Sequence, residues 1–243
     1  MTYCLGIVVR SGLVMASDSR SNAGVDQVTH VCKQAIFTAP GERMVCILSA
    51  GNLATSQAVV TQIAQDAGSG REGRDIQVAP SLFDVARMVG EGLREVMARD
   101  GRFVEPYGDA TASFLVGGQI RGEPPRLFQV YQAGNFVEAT DRACFLQIGE
   151  TKYGKPILDR ILTVDSALDE AAKLALLSFD ATLRSNLSVG PPIDMLIYKA
   201  GSHAAEERAV FEESNPYWKA LRAAYGERLA HLVEDLPRPP LDL

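Results

Sequence analysis

The sequence has no long apolar run and no cluster of basic residues. A membrane-spanning helix needs about 18–20 consecutive apolar residues, and none is predicted here. The N-terminus lacks the basic and apolar segments of a secretory signal, and its residues predict a β-strand from the start. The net charge is −6, which disfavours nucleic acids and anionic membranes as partners. We therefore expect a cytoplasmic protein that binds neither.

Cysteine and histidine are also scarce. Cys4, Cys32, Cys46 and Cys144 occur singly in apolar surroundings, without a C-x-x-C pair, and only three histidines are present. We interpret the four cysteines as buried, reduced thiols. No H-E-x-x-H or comparable spacing of ligands predicts a metal site, so we expect neither zinc nor another metal as a cofactor.

The pattern of apolar residues predicts an α+β protein. Hydrophobic residues make up 47% and charged residues 22% of 243 residues, enough for one large domain. Two hairpins come first, over residues 2–18 with a turn at 11–12 and around "PGE" at 40–42. The remaining predicted elements are helices over about 52–67, 81–99 and 167–185, and strands over 111–118, 126–132, 143–148 and 193–199. This order lacks the strand–helix–strand alternation of parallel sheets.

The C-terminal part differs from the rest. We expect one domain over residues 1–200 and an extension over residues 201–243. Asn215 and Pro216 predict the start of a helix that ends near Glu234, followed by an extended, mobile tail from residue 237. An apolar stripe on this helix predicts that it packs on its own domain or on a neighbouring subunit, and consists of Trp218, Leu221, Tyr225, Leu229 and Leu232.

Two segments are similar to phosphate-binding loops. "GSGREG" at 68–73 matches G-x-G-x-x-G but follows a helix instead of a strand, so we interpret it as a surface loop. "GETKYGKP" at 149–156 does follow a predicted strand, but Pro156 stands where a P-loop needs Ser or Thr for magnesium. Nucleotide binding at this second segment stays open as an alternative.

Thr2 directly follows the initiator methionine. Removal of Met1 would leave a hydroxyl and a free α-amine on one residue, a pair that can act as nucleophile and general base together. The pKa of a free α-amine is about 7.7–8.0, close to working pH. A nearby ammonium would keep this amine neutral, and a carboxylate would hold the ammonium in place. The first hairpin returns Asp18 to the neighbourhood of Thr2, and Lys33 begins a later strand. Taken singly, each is an ordinary strand-end or surface residue.

Together these residues resemble a known family. Thr2, "GLVMASDSRSNAG" with Asp18, "KQAIF" with Lys33, and "SAGN" with Gly51 are similar in order and spacing to the β subunits of proteasomes and their bacterial relatives. These are N-terminal nucleophile hydrolases. The resemblance covers about residues 2–199, and the distinctive C-terminal extension is most similar to the bacterial Anbu branch, the ancestral β-subunit-like proteins.

The resemblance implies a fold, a site and an activity. The fold would be a four-layer αββα sandwich, and the activity hydrolysis of peptide bonds without a metal or an organic cofactor. Thr2 would be the nucleophile, Asp18 and Lys33 its partners, and the Gly51 N–H an oxyanion donor, which fits a glycine just before a helix N-terminus. Ser188 carries over as a further site residue. The expected partners are further copies in a ring or ring-like assembly, a peptide or unfolded-protein substrate, and an ATP-dependent unfoldase.

Two positions depart from the family pattern near the nucleophile. Glu150 stands where the family commonly has Ser, and Ser185 where it has Asp. Both changes affect groups expected to surround the α-amine. Two alternatives to a peptidase therefore stay open: a self-assembling shell or binding particle with a weak or silent site, and an amidase for a small molecule.

Overall fold

Two five-stranded antiparallel sheets lie face to face between two layers of helices in the computed structural model, which describes residues 2–22, 28–204, 207–238 and 240. The first sheet has the order β10 (Phe145–Gly149), β1 (Tyr3–Val9), β2 (Gly12–Asp18), β11 (Ile193–Lys199), β12 (Glu207–Phe211). The second has the order β5 (Gln34–Ala39), β6 (Arg43–Gly51), β7 (Ala112–Ile120), β8 (Arg126–Val130), β9 (Phe136–Glu138). The helices are α1 (Leu53–Asp66), α2 (Leu82–Val104), α3 (Lys155–Ile161), α4 (Leu168–Ser185) and α5 (Pro216–Asp235). The expected α+β class and αββα sandwich are confirmed.

The period-two alternation of strand residues produces three hydrophobic layers. Along β1, Tyr3 and Leu5 pack against α4, whereas Cys4 between them faces the second sheet. The layer between the sheets includes Met15 and Met44, both fully buried. Burying one such large apolar side chain contributes about 1.5–3 kcal/mol, so the three layers fix the stacking of the two sheets.

Helix boundaries follow the capping residues. The Ser81 hydroxyl accepts the Asp84 N–H at 3.2 Å and donates to the Asp84 carboxylate at 2.6 Å, which caps α2 at its N-terminus. This helix continues to Val104, beyond the predicted end near residue 99. The reason is that Gly101 alone costs only about 1 kcal/mol in a helix, and the next proline is Pro106.

Several short elements were not predicted from the sequence. They are α3, β9, β12, and a two-stranded sheet of β3 (Arg20–Asn22) and β4 (Val28–His30). Each is too short for a periodic pattern to identify. The tail predicted from residue 237 lies partly outside the described residues. Because β12 pairs with β11, the extension after residue 200 contributes a strand to the first sheet.

Both segments that are similar to phosphate loops have partners within the chain. The N–H groups of Gly68 and Gly70 donate to the Asp75 carboxylate at 2.9 and 2.8 Å. Lys155 donates to Asp159 at 2.6 Å within α3. The backbone donors of the first loop and the lysine of the second are therefore engaged in structural contacts. Among the described residues, no helix is both long and apolar enough to cross a bilayer.

Candidate active site

The peptide group that follows Thr2 is hydrogen-bonded at both ends. Its carbonyl accepts the Glu150 N–H at 2.7 Å, and its N–H, which belongs to Tyr3, donates to Asp18 Oδ1 at 3.0 Å. These two bonds fix the plane of this peptide and the position of the Thr2 Cα at the start of β1. Met1 lies outside the described residues, so its removal stays a prediction.

Tyr3 anchors the start of β1 in the hydrophobic layer below. Its hydroxyl shares a hydrogen bond with Ser178 at 2.6 Å and accepts one from Gln147 at 2.6 Å. Burial raises the pKa of the Tyr3 phenol well above its ordinary value, so the group stays neutral. Its ring lies 4.5 Å from the Phe179 ring, which further restrains the residue next to Thr2.

Asp18 and Lys33 form a buried ion pair. Lys33 Nζ lies 2.6 Å from Asp18 Oδ1, and their side chains are 6% and 0% exposed. Lys33 also donates to the Arg20 carbonyl at 2.6 Å, and Asp18 Oδ2 accepts the Gly190 N–H at 3.3 Å. Burial raises the pKa of Asp18, while the Lys33 ammonium and the backbone donors act in the opposite direction. One oxygen, Asp18 Oδ1, thus receives both the ammonium and the Tyr3 N–H.

Glu150 connects the start of β1 to the loop after α4. It is 7% exposed, and its carboxylate accepts hydrogen bonds from the Asn186 side chain at 3.0 Å and from the Lys152 N–H at 3.1 Å. The Asn186 side-chain oxygen Oδ1 in turn accepts the Ser188 N–H at 2.9 Å. Ser185 is exposed at the end of α4. The hydrogen bond to Glu150 comes instead from Asn186, the next residue. Asn186 was not predicted from the sequence, because the family pattern specifies no residue type at this position.

Gly51 ends β6 in a conformation that a side chain would strain. Its φ is +105°, and a Cβ would lie 2.5 Å from the Thr111 carbonyl oxygen. Two residues earlier, the Ser49 N–H donates to the Lys33 carbonyl at 3.1 Å and the Ser49 carbonyl accepts the Cys4 thiol at 3.4 Å. β6 is therefore tied to both Lys33 and β1 just before Gly51.

Open cavities lie beside Lys33 and beside Gly149. A cavity of about 230 Å³ is lined by Lys33, Ser49 and the first half of α1, together with Cys32. Cys32 is exposed, so the expectation of four buried thiols was wrong at this position. Because Lys33 points inward to Asp18, the residue before it faces outward. A second cavity of about 420 Å³ is lined by Gly149 and by polar side chains including Gln129, Tyr131 and Thr151. Among the described residues, no group of three His, Cys, Asp or Glu side chains could hold a metal.

Comparisons with known sequences give one family. A model of the proteasome subunit family matches residues 2–198. Proteasome subunit beta 2 of Pyrobaculum neutrophilum is 26% identical over 203 residues, which covers 84% of this chain and 91% of that protein.

Solved structures of Anbu proteins resemble the whole chain. Anbu from Yersinia bercovieri has 44% sequence identity and a TM-score of 0.92, over 98% of this chain and 99% of that one. A structure from Pseudomonas aeruginosa, described as a helical assembly of the Anbu complex, has 46% identity and a TM-score of 0.92 over 98% of both chains. Anbu from Hyphomicrobium sp. strain MC1 has 43% identity and a TM-score of 0.90 over 98% and 100%.

Proposed function

The chain belongs to the proteasome subunit family, in its Anbu branch, and we propose that it is a threonine peptidase whose nucleophile is Thr2, exposed by removal of Met1. The observation that carries this proposal is the shared oxygen Asp18 Oδ1. Because it accepts both the Tyr3 N–H and the Lys33 ammonium, it holds a buried positive charge next to the residue that bears the nucleophile. Neither a metal nor an organic cofactor takes part.

In the proposed acylation step, the Thr2 hydroxyl oxygen attacks the substrate carbonyl carbon and its proton passes to the Thr2 α-amine. The carbonyl oxygen becomes an oxyanion, which the Gly51 N–H stabilises. The ammonium of Lys33 favours the developing alkoxide and keeps the neighbouring amine neutral before attack. When the tetrahedral intermediate collapses, the C–N bond breaks and the leaving amine takes the proton back from the α-ammonium. The product is an ester of Thr2.

Deacylation repeats the sequence with water. The free α-amine takes a proton from a water molecule, which attacks the ester carbon. The ester C–O bond then breaks, the α-ammonium returns its proton to the Thr2 oxygen, and the carboxylic acid is released. We assign Glu150 to positioning at this stage, because its N–H holds the Thr2 carbonyl while its carboxylate is bonded to Asn186. Ser188 belongs to the same loop, and Ser185 lies outside this network.

The two open cavities suggest in which chain direction the proposed substrate binds. The cavity next to Lys33 is suited to a side chain on the acyl side of the cleaved bond, and the polar cavity next to Gly149 to the departing segment. We propose an extended peptide or an unfolded protein as the substrate, because such a chain can place one segment in each cavity. We also propose that the chain acts in the cytoplasm, with residues 1–200 as the catalytic domain and an ATP-dependent unfoldase as a partner.

Self-assembly through the second half of α5 belongs to the same proposal. Trp218 at the start of α5 is buried, but Leu229, Leu232 and Val233 are 42%, 52% and 69% exposed. One helix thus carries an uncovered apolar surface beyond the point where it contacts its own domain. The helical assembly described for the Pseudomonas aeruginosa relative supports self-association as the explanation.

We expect the double variant Leu229→Gln with Leu232→Gln to dissociate the assembly. Each buried leucine contributes about 1.5–3 kcal/mol, so the association constant should fall by at least about a hundredfold. Sedimentation velocity across a protein concentration series measures this change. The matched control, Arg228→Gln with His231→Gln, changes exposed polar residues in the same turns and should assemble normally. Equal dissociation of both variants would mean that helix stability, not the apolar surface, was lost.

The experiment that tests the proposed activity is intact-mass spectrometry before and after incubation with a peptide epoxyketone. This reagent forms a ring with the hydroxyl and the free amine of one N-terminal residue. We expect loss of Met1, one adduct per chain, and no adduct in Thr2→Ala. A processed chain without an adduct would contradict the peptidase proposal.

A second candidate function is a self-assembling shell with a weak or silent site. The observation that favours it is the buried Glu150, since its carboxylate adds negative charge where the family commonly has a serine. Turnover of peptides in the processed protein would exclude this candidate. Turnover of small amides alone would favour an amidase instead.

A further inference from the structure

We propose that the chain binds a small oxyanion, a phosphate or a carboxylate, in a further cavity that is lined by Arg20 and by residues of the loop over 187–191. We call it the arginine cavity. It measures about 160 Å³ and lies between this loop, the end of α4 and the start of α5. Water occupies about 30 Å³ per molecule in the liquid, so the volume is ample for such an ion. The polar residues that line it are Arg20, Arg184, Arg222, Glu213 and Trp218.

Positive charge exceeds negative charge around this cavity. Arg184 and Arg222 both contact the carboxylate of Asp180, which is 3% exposed, so one carboxylate serves two guanidinium groups. Glu213 adds one exposed carboxylate and Arg20 adds a third guanidinium. An anion would therefore enter a region with an unbalanced positive charge, where charge-assisted hydrogen bonds are strong.

Arg20 lines the cavity and has an unpartnered donor. Its guanidinium donates to the Leu187 carbonyl at 2.7 Å and lies against Gly190, where a Cβ would come within 2.2 Å of the guanidinium carbon. Its Nε is buried and has no hydrogen-bond partner within the described part of the chain. No carboxylate among those residues lies within ion-pair distance of Arg20. The side chain is thus held in position but not neutralised.

Trp218 also lines the cavity and has a second unpartnered donor. It is 1% exposed, and its indole N–H has no partner among the residues that the structure describes. An indole N–H can only donate, so it needs an acceptor. The Arg222 guanidinium lies 5.3 Å above the Trp218 ring and restrains it. Two buried N–H groups without partners, from different elements, favour a ligand that only accepts hydrogen bonds, which an oxyanion does.

An anion bound in the arginine cavity would affect the proposed catalytic site through Arg20. The Arg20 carbonyl accepts the Lys33 ammonium at 2.6 Å. The residue that would hold the anion with its side chain therefore holds Lys33 with its backbone. We expect an occupied cavity to restrain Arg20 and to change the pH dependence of kcat. This consequence rests on the proposed function, whereas the binding itself does not.

Trp218 is the sole tryptophan of the chain, so its fluorescence reports directly on the cavity. We would titrate the full-length protein with inorganic phosphate, and separately with acetate, at an ionic strength held constant with chloride. The expected result is a saturable change in emission. The tighter of the two ligands identifies which oxyanion the cavity prefers. A response equal to that of chloride, or no response, would overturn the proposal.

Variants separate the cavity from general ion effects. Arg20→Gln should weaken binding by at least about tenfold, since one charge-assisted interaction is lost. Trp218→Phe removes the indole donor and keeps a ring, and calorimetry should show binding weakened by about threefold or more. Arg160→Gln, at an exposed arginine on α3, should bind like the natural chain. If Arg20→Gln does not fold, Arg184→Gln replaces it, with a loss of about fivefold expected.

The outcomes distinguish the two proposals. Phosphate or acetate binding that is lost in Arg20→Gln supports the cavity even if no peptide is hydrolysed. Peptide hydrolysis with unchanged binding in Arg20→Gln and Trp218→Phe would overturn the cavity and leave the peptidase proposal intact.

Discussion

Replacing Asp18 by asparagine is expected to lower peptide hydrolysis by about 10²–10⁴-fold and the free energy of unfolding by about 3–5 kcal/mol. Both effects follow from the burial of the pair, because the substitution leaves the Lys33 ammonium without its counter-ion at 6% side-chain exposure. The Lys33 side chain would move towards solvent or lose its proton. In either case the positive charge next to Thr2 is lost.

A double variant separates the loss of stability from the loss of catalysis. Asp18→Asn with Lys33→Met removes both buried charges together, and such replacements are often neutral for stability or stabilising. We expect most of the unfolding free energy to return while hydrolysis stays at the level of the single variant. Urea unfolding gives the first quantity and peptide turnover the second. Recovery of hydrolysis in the double variant would show that Lys33 has no part in the reaction.

Local patterns in the sequence were sufficient to predict the α+β class and most of the long elements, whereas the four-layer sandwich was predicted from the family resemblance. The alternation over residues 2–10 predicts a half-buried strand, whereas β1 and β2 are buried on both faces. The 52–67 and 167–185 patterns predict α1 and α4 to within about two residues. The hairpin turn at residues 11–12 places Asp18 opposite the start of β1 without any knowledge of tertiary structure. Thr2, Asp18 and Lys33 were therefore accessible from the sequence, although the roles assigned to them stay predictions.

What sequence patterns missed depends on contacts between distant segments. Asn186 and Glu150 are 36 positions apart, and only the packing of α4 on the first sheet brings them together. The side on which Cys32 lies is decided by the inward side chain of Lys33, so composition alone gave the wrong burial. Likewise, β12 was not predicted, because it forms a strand by pairing with the edge of β11 and its own short sequence has no clear pattern.

The second large effect is expected from Gly149→Ala, which should reduce hydrolysis by about a hundredfold or more. Gly149 has φ +82°, and a Cβ there would lie 2.0 Å from the Thr2 carbonyl oxygen. That oxygen accepts the Glu150 N–H, the bond that holds the first peptide of β1. The added methyl group must push Thr2 away from this position, and a displacement of about 1 Å at a reacting group can cost about a hundredfold in rate.

Gly68→Ala is the matched control for this prediction. Its φ is +81°, so alanine meets the same backbone penalty of about 1–2 kcal/mol, but a Cβ there has nothing within 4 Å. Both variants should lose stability in thermal unfolding, with Gly149→Ala losing more, and only Gly149→Ala should lose hydrolysis and the epoxyketone adduct at Thr2. If the two variants hydrolyse peptide equally well, the contact between Gly149 and Thr2 does not position the nucleophile. A loss of hydrolysis in Gly149→Ala alone would instead show that the position of the Thr2 carbonyl determines the position of the reacting side chain, because the carbonyl carbon is bonded directly to the Thr2 Cα.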